Sequence, residues 1–296
     1  MLIDSHEAVT PAVLKVMEQT KDPRFRKIMV SLIKHLHGFV REVRLTEQEF
    51  QQATRILNTM GQQSNDKHNE LVLMAGSLGV SSLVCLLNNG DNGTTETSQS
   101  LLGPFWRLNH PKTEDGGSIL RSETPGPRLY GTFRVQDRDG NPIEGAEVDV
   151  WHASPVGLYE NQDESQADFN LRGKFLTKAD GTLRFKSVKP IGYPIPTNTT
   201  VGKLLAAQNR HPYRPAHVHA LIFKEGFKTL TSQVYVDETD YLTSDVQFGV
   251  TKALIGHLVA RNGPHPEDGD VGEWYTLDYT FTMEPGEARL PIPPIK

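Results

Sequence analysis

Cysteine is almost absent: Cys85 is the only one in 296 residues. A single thiol excludes an internal disulfide framework and a cysteine-rich zinc module, and it fits a reducing compartment. A basic excess is missing too. Lys plus Arg number 31 against 36 Asp plus Glu, a net charge of −5 with no long run of either sign. The electrostatic footprint of a nucleic-acid or anionic-membrane binder is therefore not there. No apolar run reaches the roughly 18 residues that a membrane span needs. The opening MLIDSHEAVT carries Asp4 and Glu7 where a secretory signal has lysine and an apolar stretch. These absences describe a cytoplasmic globular protein with neither nucleic acid nor membrane as a partner.

What is present suffices for a core, with 37% hydrophobic and 23% charged residues. The length predicts one large or two modest domains. The character of the chain changes near residue 90. Before it, Phe25, Ile28, Leu32, Leu36, Phe39 and Val43 recur at helical spacing, and Asp22-Pro23 supplies an N-cap and a first-turn proline. Thr46 with Glu49 forms a capping box for a second helix with the stripe Phe50, Ala53, Leu57 and Met60. A third helix is predicted over 69–88, apolar almost all round and so expected to be buried on several sides.

After Asn88-Asn89-Gly90 the helical period is lost. Short β-branched and aromatic runs at 131–137, 146–152, 182–188, 217–223 and 231–236 read as strands. Asp139-Gly140, Asp180-Gly181 and Glu225-Gly226 supply turns between them. Such spacing predicts an antiparallel sandwich or barrel. The expected fold class is α+β: a helical domain over 1–100, then an all-β domain over 101–296. The proline-rich end, Pro285 to Lys296, is expected to run extended over the surface.

The sharpest local feature is Arg214-Pro215-Ala216-His217-Val218-His219. Residues i and i+2 of a strand share a face, so both imidazoles can reach one point. A carboxylate as third ligand would suit ferrous iron, and a third histidine, His152 or His211, would suit zinc in a hydrolase. Two tyrosines offer another set. Tyr159 follows a turn after Val148-Asp149-Val150-Trp151-His152, and Tyr193 sits in the proline-framed Pro190-Ile191-Gly192-Tyr193-Pro194-Ile195-Pro196. A phenol ionises near pH 10 and binds metal well only as phenolate, which a hard trivalent cation stabilises. A metal-free β-sandwich whose aromatic residues line a binding face fits the same strands.

The motifs V-D-V-W-H-A-x-x-x-G-x-Y (148–159), G-Y-P-I-P (192–196) and H-P-Y-R-P-A-H-V-H (211–219) come in that order. Together with L-L-G-P-F-W (101–106) and L-T-S-Q-V (230–234), they resemble the intradiol ring-cleavage dioxygenases over nearly the whole chain. The resemblance implies one non-haem Fe³⁺ per subunit held by Tyr159, Tyr193, His217 and His219, with Tyr193 the ligand that departs as substrate chelates. It implies catalytic roles for Arg214 and Gln233 beside the iron. It places Leu73, Gly76, Leu102, Gly103, Pro104, Phe105, Ile195, Pro196, Arg214 and Gln247 around a small aromatic diol or triol that reacts with O₂. It also implies a homodimer through the N-terminal helices, often with a phospholipid between them.

Within the family, Tyr193 to Pro196, Gly103-Pro104-Phe105 and the stretch Tyr241 to Val250 are most similar to the hydroxyquinol branch, which opens 1,2,4-trihydroxybenzene to maleylacetate. Catechol, or a substituted catechol opened to a cis,cis-muconate, is the alternative. Two positions depart from that branch: Gly76 stands where an aspartate is usual, and Gln247 where an apolar residue is usual. Gln247 is the candidate partner for a third hydroxyl.

Overall fold

Asp22 caps the long N-terminal helix as expected. Its carboxylate accepts from the backbone N–H groups of Arg24 and Phe25 at 2.7 and 3.0 Å, satisfying donors that a helix start leaves orphaned. The Thr46–Glu49 capping box closes in both directions, at 2.9 and 3.3 Å. The computed structural model describes residues 3–88, 97–237, 239–266, 269 and 271–295, so the expected boundary near residue 90 lies outside the described residues. The helices are α1 His6–Met17, α2 Pro23–Val43, α3 Glu47–Gln63, α4 Glu70–Ser77 and α5 Val80–Asn88. The chain divides into two compact units, Met1–Thr59 and Met60–Lys296.

The single helix expected over 69–88 is two helices bent by 77°. Gly79 at φ +72° stands at the break, just beyond the Leu78 that caps α4, and a left-handed residue ends an α-helix where only glycine sits without strain. Nor is the segment buried on several sides: Leu83, Val84 and Leu87 are exposed, as are Phe25, Leu32 and Phe39 on α2. Among the described residues no single helix is long and apolar enough to cross a membrane; only α4 and α5 taken together pass on length and composition.

In the second unit the strands are β1 Gly117–Ser118, β2 Arg128–Gln136, β3 Glu147–Trp151, β4 Arg172–Leu176, β5 Thr182–Val188, β6 Tyr193–Pro194, β7 Tyr213–Arg214, β8 His217–Phe223, β9 Leu230–Val236, β10 Ile255–Gly256, β11 Leu258–Pro264 and β12 Val271–Thr282. A short helix, α6 Thr200–Ala207, lies between β6 and β7. One sheet runs β1-β5-β2-β12-β11, a second β10-β9-β8-β3-β4, and β6 pairs with β7. All five expected strands are present. The sheets are mixed, because β2 lies parallel to β12 and β9 parallel to β10. Helix α6 and strands β4 and β11 carried no clear period, whereas β12, also unexpected, alternates Tyr275, Leu277, Tyr279 and Phe281 with Thr276, Asp278 and Thr280.

Strand alternation separates core from site. Val218, Ala220 and Ile222 of β8, with Val148 and Val150 of β3, join Phe133 and Phe185 of the other sheet in the main core. The odd-numbered residues of β8 and β3 project to the opposite face of their sheet. There a second cluster forms around Trp151, Tyr159, Tyr193 and Leu221. The C-terminal segment runs without regular structure and mostly exposed from Pro285 to Ile292, as expected, and departs from that only at its end. Ile295 is buried in the second cluster, because its apolar side chain finds an aromatic wall to cover.

Candidate active site

His217 and His219 leave β8 on the same face, and the strand register sets their neighbours. His219 stands opposite Trp151 of β3 and Gln233 of β9, and His217 opposite Tyr235. Trp151 stacks on His219 with ring centroids 4.6 Å apart and planes at 9°. Tyr193 of β6 pairs with Arg214 of β7, which brings Arg214 to the same spot. Tyr159 arrives from the loop after β3. Gly157, at φ +81°, lets that loop pass Tyr193 closely, since a β-carbon there would fall 2.8 Å from Tyr193 Cβ.

Four donor atoms converge. Tyr159 Oη lies 2.9 Å from Tyr193 Oη and 3.1 Å from His219 Nε2. His217 Nε2 lies 3.1 Å from His219 Nε2 and 3.5 Å from Tyr193 Oη. The Pro215 carbonyl, 2.7 Å from His217 Nδ1, can only accept, so Nδ1 carries the proton and Nε2 turns a lone pair into the cluster. Burial, then the Arg214 charge, pushes the His217 pKa down to about 3. Burial, then His217, holds His219 well below its usual value. Both imidazoles are neutral, as ligands must be. Burial raises both phenols, Tyr159 further because Tyr193 lies beside it. Two buried phenol oxygens at this distance lose their protons only to a strong cation between them and the imidazoles, so the donor set fits a hard, highly charged metal ion.

Arg214 forms the charged side of the site. Its Nε and one terminal nitrogen donate to the two Asp245 oxygens, each at 3.1 Å. That nitrogen also donates to Gln233 Oε1 and Tyr235 Oη at 2.9 Å, and the other stands 3.3 Å from His217 Nε2. Burial opposes the guanidinium charge, but Asp245 outweighs it and lifts the pKa well above its ordinary value. Burial likewise opposes the Asp245 charge, and Arg214 overrides it. Gln233 is held in turn, its Nε2 donating to the Leu101 carbonyl.

A cavity of about 550 Å³ opens on Tyr159, Tyr193, His219 and Arg214. Of the residues expected around substrate, Leu73, Gly76, Leu102, Gly103, Pro104, Phe105, Ile195, Arg214 and Gln247 line it. Pro196 is half-buried and does not line it. Two parts of the wall had no sequence signal, the C-terminal Ile292-Pro293-Pro294 and Val80, Val84 and Cys85 of α5. Asp245 was also missed as a functional residue. A buried arginine calls for a carboxylate, but its position in the chain is set only by folding.

The zinc alternative loses its third ligand. His152 spends Nε2 on Ser187 Oγ and Nδ1 on the Ala153 carbonyl, at 2.6 and 2.8 Å. His211 packs near Tyr241 and accepts from the Tyr213 N–H. Among the described residues no three His, Cys, Asp or Glu side chains gather as a metal site.

The chain is similar to known proteins along most of its length. A family model described as Dioxygenase matches residues 101–283, and one described as Catechol dioxygenase N terminus matches 22–95. The chain is 39% identical over 282 residues to a hydroxyquinol 1,2-dioxygenase of Rhizobium sp., covering 94% of this chain and 95% of that protein. It is 34% identical to a catechol 1,2-dioxygenase of Candida albicans, covering 94% and 92%. The crystal structure of hydroxyquinol 1,2-dioxygenase from Pseudomonas putida DLL-E4 superposes with a TM-score of 0.85 at 34% identity, covering 95% of this chain and 99% of that one.

Proposed function

Because this chain belongs to the intradiol ring-cleavage dioxygenases, we propose that it opens hydroxyquinol between its vicinal hydroxyls with O₂, giving maleylacetate, and that catechol is its slower alternative. The observation that carries this reading is the meeting of two phenol oxygens and two imidazole nitrogens within 3.5 Å of their neighbours on a cavity wall. Tyr159, Tyr193, His217 and His219 would hold one non-haem Fe³⁺ per subunit. When bound, that ion supplies the Lewis acidity that activates the deprotonated diol toward O₂.

The chain's own residues do the rest. Tyr193, ionised only when that ion is bound, would take up a proton from a ring hydroxyl at its Oη as the diol binds, which makes it the base. Arg214 aims fixed donors at the place where negative charge develops on the opening ring, and a dry wall strengthens them. Gln233 holds Arg214 at its working angle through the bond at Oε1. Phe105, Pro104 and Ile195 form an apolar slot for a planar ring.

The relatives named for hydroxyquinol and chlorohydroxyquinol cleavage support the choice of ring. The test is oxygen uptake by the purified protein with hydroxyquinol, catechol and 4-chlorocatechol, with the visible spectrum and metal content recorded. A coloured iron protein that prefers hydroxyquinol is expected. A colourless zinc protein would overturn the iron reading, and an outright preference for catechol would overturn the choice of ring.

The same reading extends to assembly and location. The exposed apolar side chains of α2 and α5 are assigned to contact with a second copy of this chain, with a phospholipid in the same interface. Burying each such side chain is worth about 1.5–3 kcal/mol, and sedimentation and organic extraction test the two parts separately. A cytoplasmic location agrees with the single cysteine.

A further inference from the structure

We propose that Gln247 is a specificity-determining residue whose Oε1 accepts a hydrogen bond from a ring hydroxyl beyond the vicinal pair, and that Gly76 is the position that leaves room for it. This rests on the reading of the cavity as a diol pocket.

Most of the cavity wall near Gln247 is apolar, and Gln247 itself is only 5% exposed. Its amide is held by one end. Nε2 donates to Ser77 Oγ at 2.7 Å and, more weakly, toward the Leu73 carbonyl at 3.5 Å. A carbonyl can only accept, so this neighbour decides which end of the amide faces α4. The backbone is pinned as well. The Gln247 N–H donates to Asp245 Oδ1 at 3.2 Å, and Ser82 Oγ donates to its carbonyl at 3.0 Å. Arg210 ties the loop to the end of α4 through the Ser77 and Val246 carbonyls. Asp245 is also the partner of Arg214, so the held amide is two residues along the chain from the charged side of the site.

No donor among the described residues reaches Oε1. An acceptor that no protein donor reaches, on the wall of a mostly apolar cavity, favours a ligand that brings a donor, and once such a ligand closes over it, it disfavours hydrogen, methyl or chlorine at that ring position. Gly76 determines whether the acceptor can be there at all. A β-carbon on residue 76 would fall 1.7 Å from Gln247 Oε1 and 2.7 Å from its Cδ. The amide could swing aside only by giving up Ser77. Residues 76 and 247 therefore share one volume, and the absence of a side chain on the helix is matched by a polar one from the loop.

The test compares kcat/KM for hydroxyquinol and catechol in the iron-loaded wild type, Gln247→Leu and Gly76→Ala, with the visible absorption band as the check on an intact site. Both variants are expected to lower the hydroxyquinol-to-catechol ratio about tenfold or more. Gly76→Ala does so without altering Gln247 chemically, which guards against a folding defect peculiar to the first variant. A ratio within about twofold of wild type in either variant overturns the proposal, whether or not both rates fall. Should the wild type open neither ring, the proposed function fails instead. Anaerobic equilibrium binding of the two ring compounds to the same proteins then decides the role of the amide. Loss of the hydroxyquinol advantage in Gln247→Leu supports the proposal, and its retention overturns it.

Discussion

Helix α2 and strand β8 space their apolar residues with equal regularity, yet they end in opposite environments. No residue of α2 is buried within the chain, whereas β8 is buried from His217 to Ile222. The helix satisfies its own backbone, so it can form around an amphipathic stripe before anything covers that stripe. The strand has no such independence and exists only between β3 and β9, with core on one face and site on the other. A chemically demanding site belongs on the second kind of element. There the sheet register, and not the local chain, sets the distance between donor atoms.

The largest expected effect breaks the strand side of this comparison. His217→Ala or His219→Ala should lose iron and the visible band, with activity falling by more than the roughly 10–100-fold that loss of a supporting partner costs. Unchanged iron content in both variants would refute the ligand set. Arg214→Lys keeps the charge but not the fork that grips Asp245 and Gln233. It should lower kcat roughly a hundredfold at unchanged iron content, and an unaltered kcat would remove Arg214 from the chemistry.

The buried imidazoles sharpen the contrast through pH. Burial holds His152 at about 4 and His217 at about 3, against 6.5 for a free histidine. Between those values and 6.5 the unfolded chain binds more protons than the folded one. Their contribution is therefore complete above pH 6.5 and is lost as pH falls through the window. The melting temperature of the iron-free protein should drop steadily from pH 6.5 toward 4, and a flat profile would contradict the assignment.

On the helical side, a charge in the stripe, Leu32→Glu, should abolish self-association in sedimentation while turnover per iron persists. A stable dimer in this variant would place the interface elsewhere. The smallest effect is local: Asp22→Ala should cost about 1 kcal/mol in chemical denaturation through the lost cap, without altering the visible spectrum.

Both capping motifs, the five strands and the H-x-H pair were legible in the sequence because each leaves its mark (a cap, an alternation or a spacing) within a few residues, even where the element itself needs distant partners. Helix α6 and strand β11 were not, since their residues follow no clean period and owe their state to tertiary partners, whereas β12 was missed although Tyr275 to Phe281 alternate cleanly. The split between α4 and α5 was missed for a related reason. An apolar run conceals a bend whose only local sign is one glycine, Gly79.

By itself the sequence determined the element types where a 3.6- or 2-residue period repeats, and the donor chemistry of the site, because side-chain identity needs no fold. It could not determine that Asp245 would face Arg214, that Ile292 to Pro294 would wall the cavity, or that Gln247 would fill the volume left by Gly76. Those pairings join positions 31 to more than 150 residues apart. They are selected by sheet register and mutual exclusion of volume, which exist only once the chain has packed.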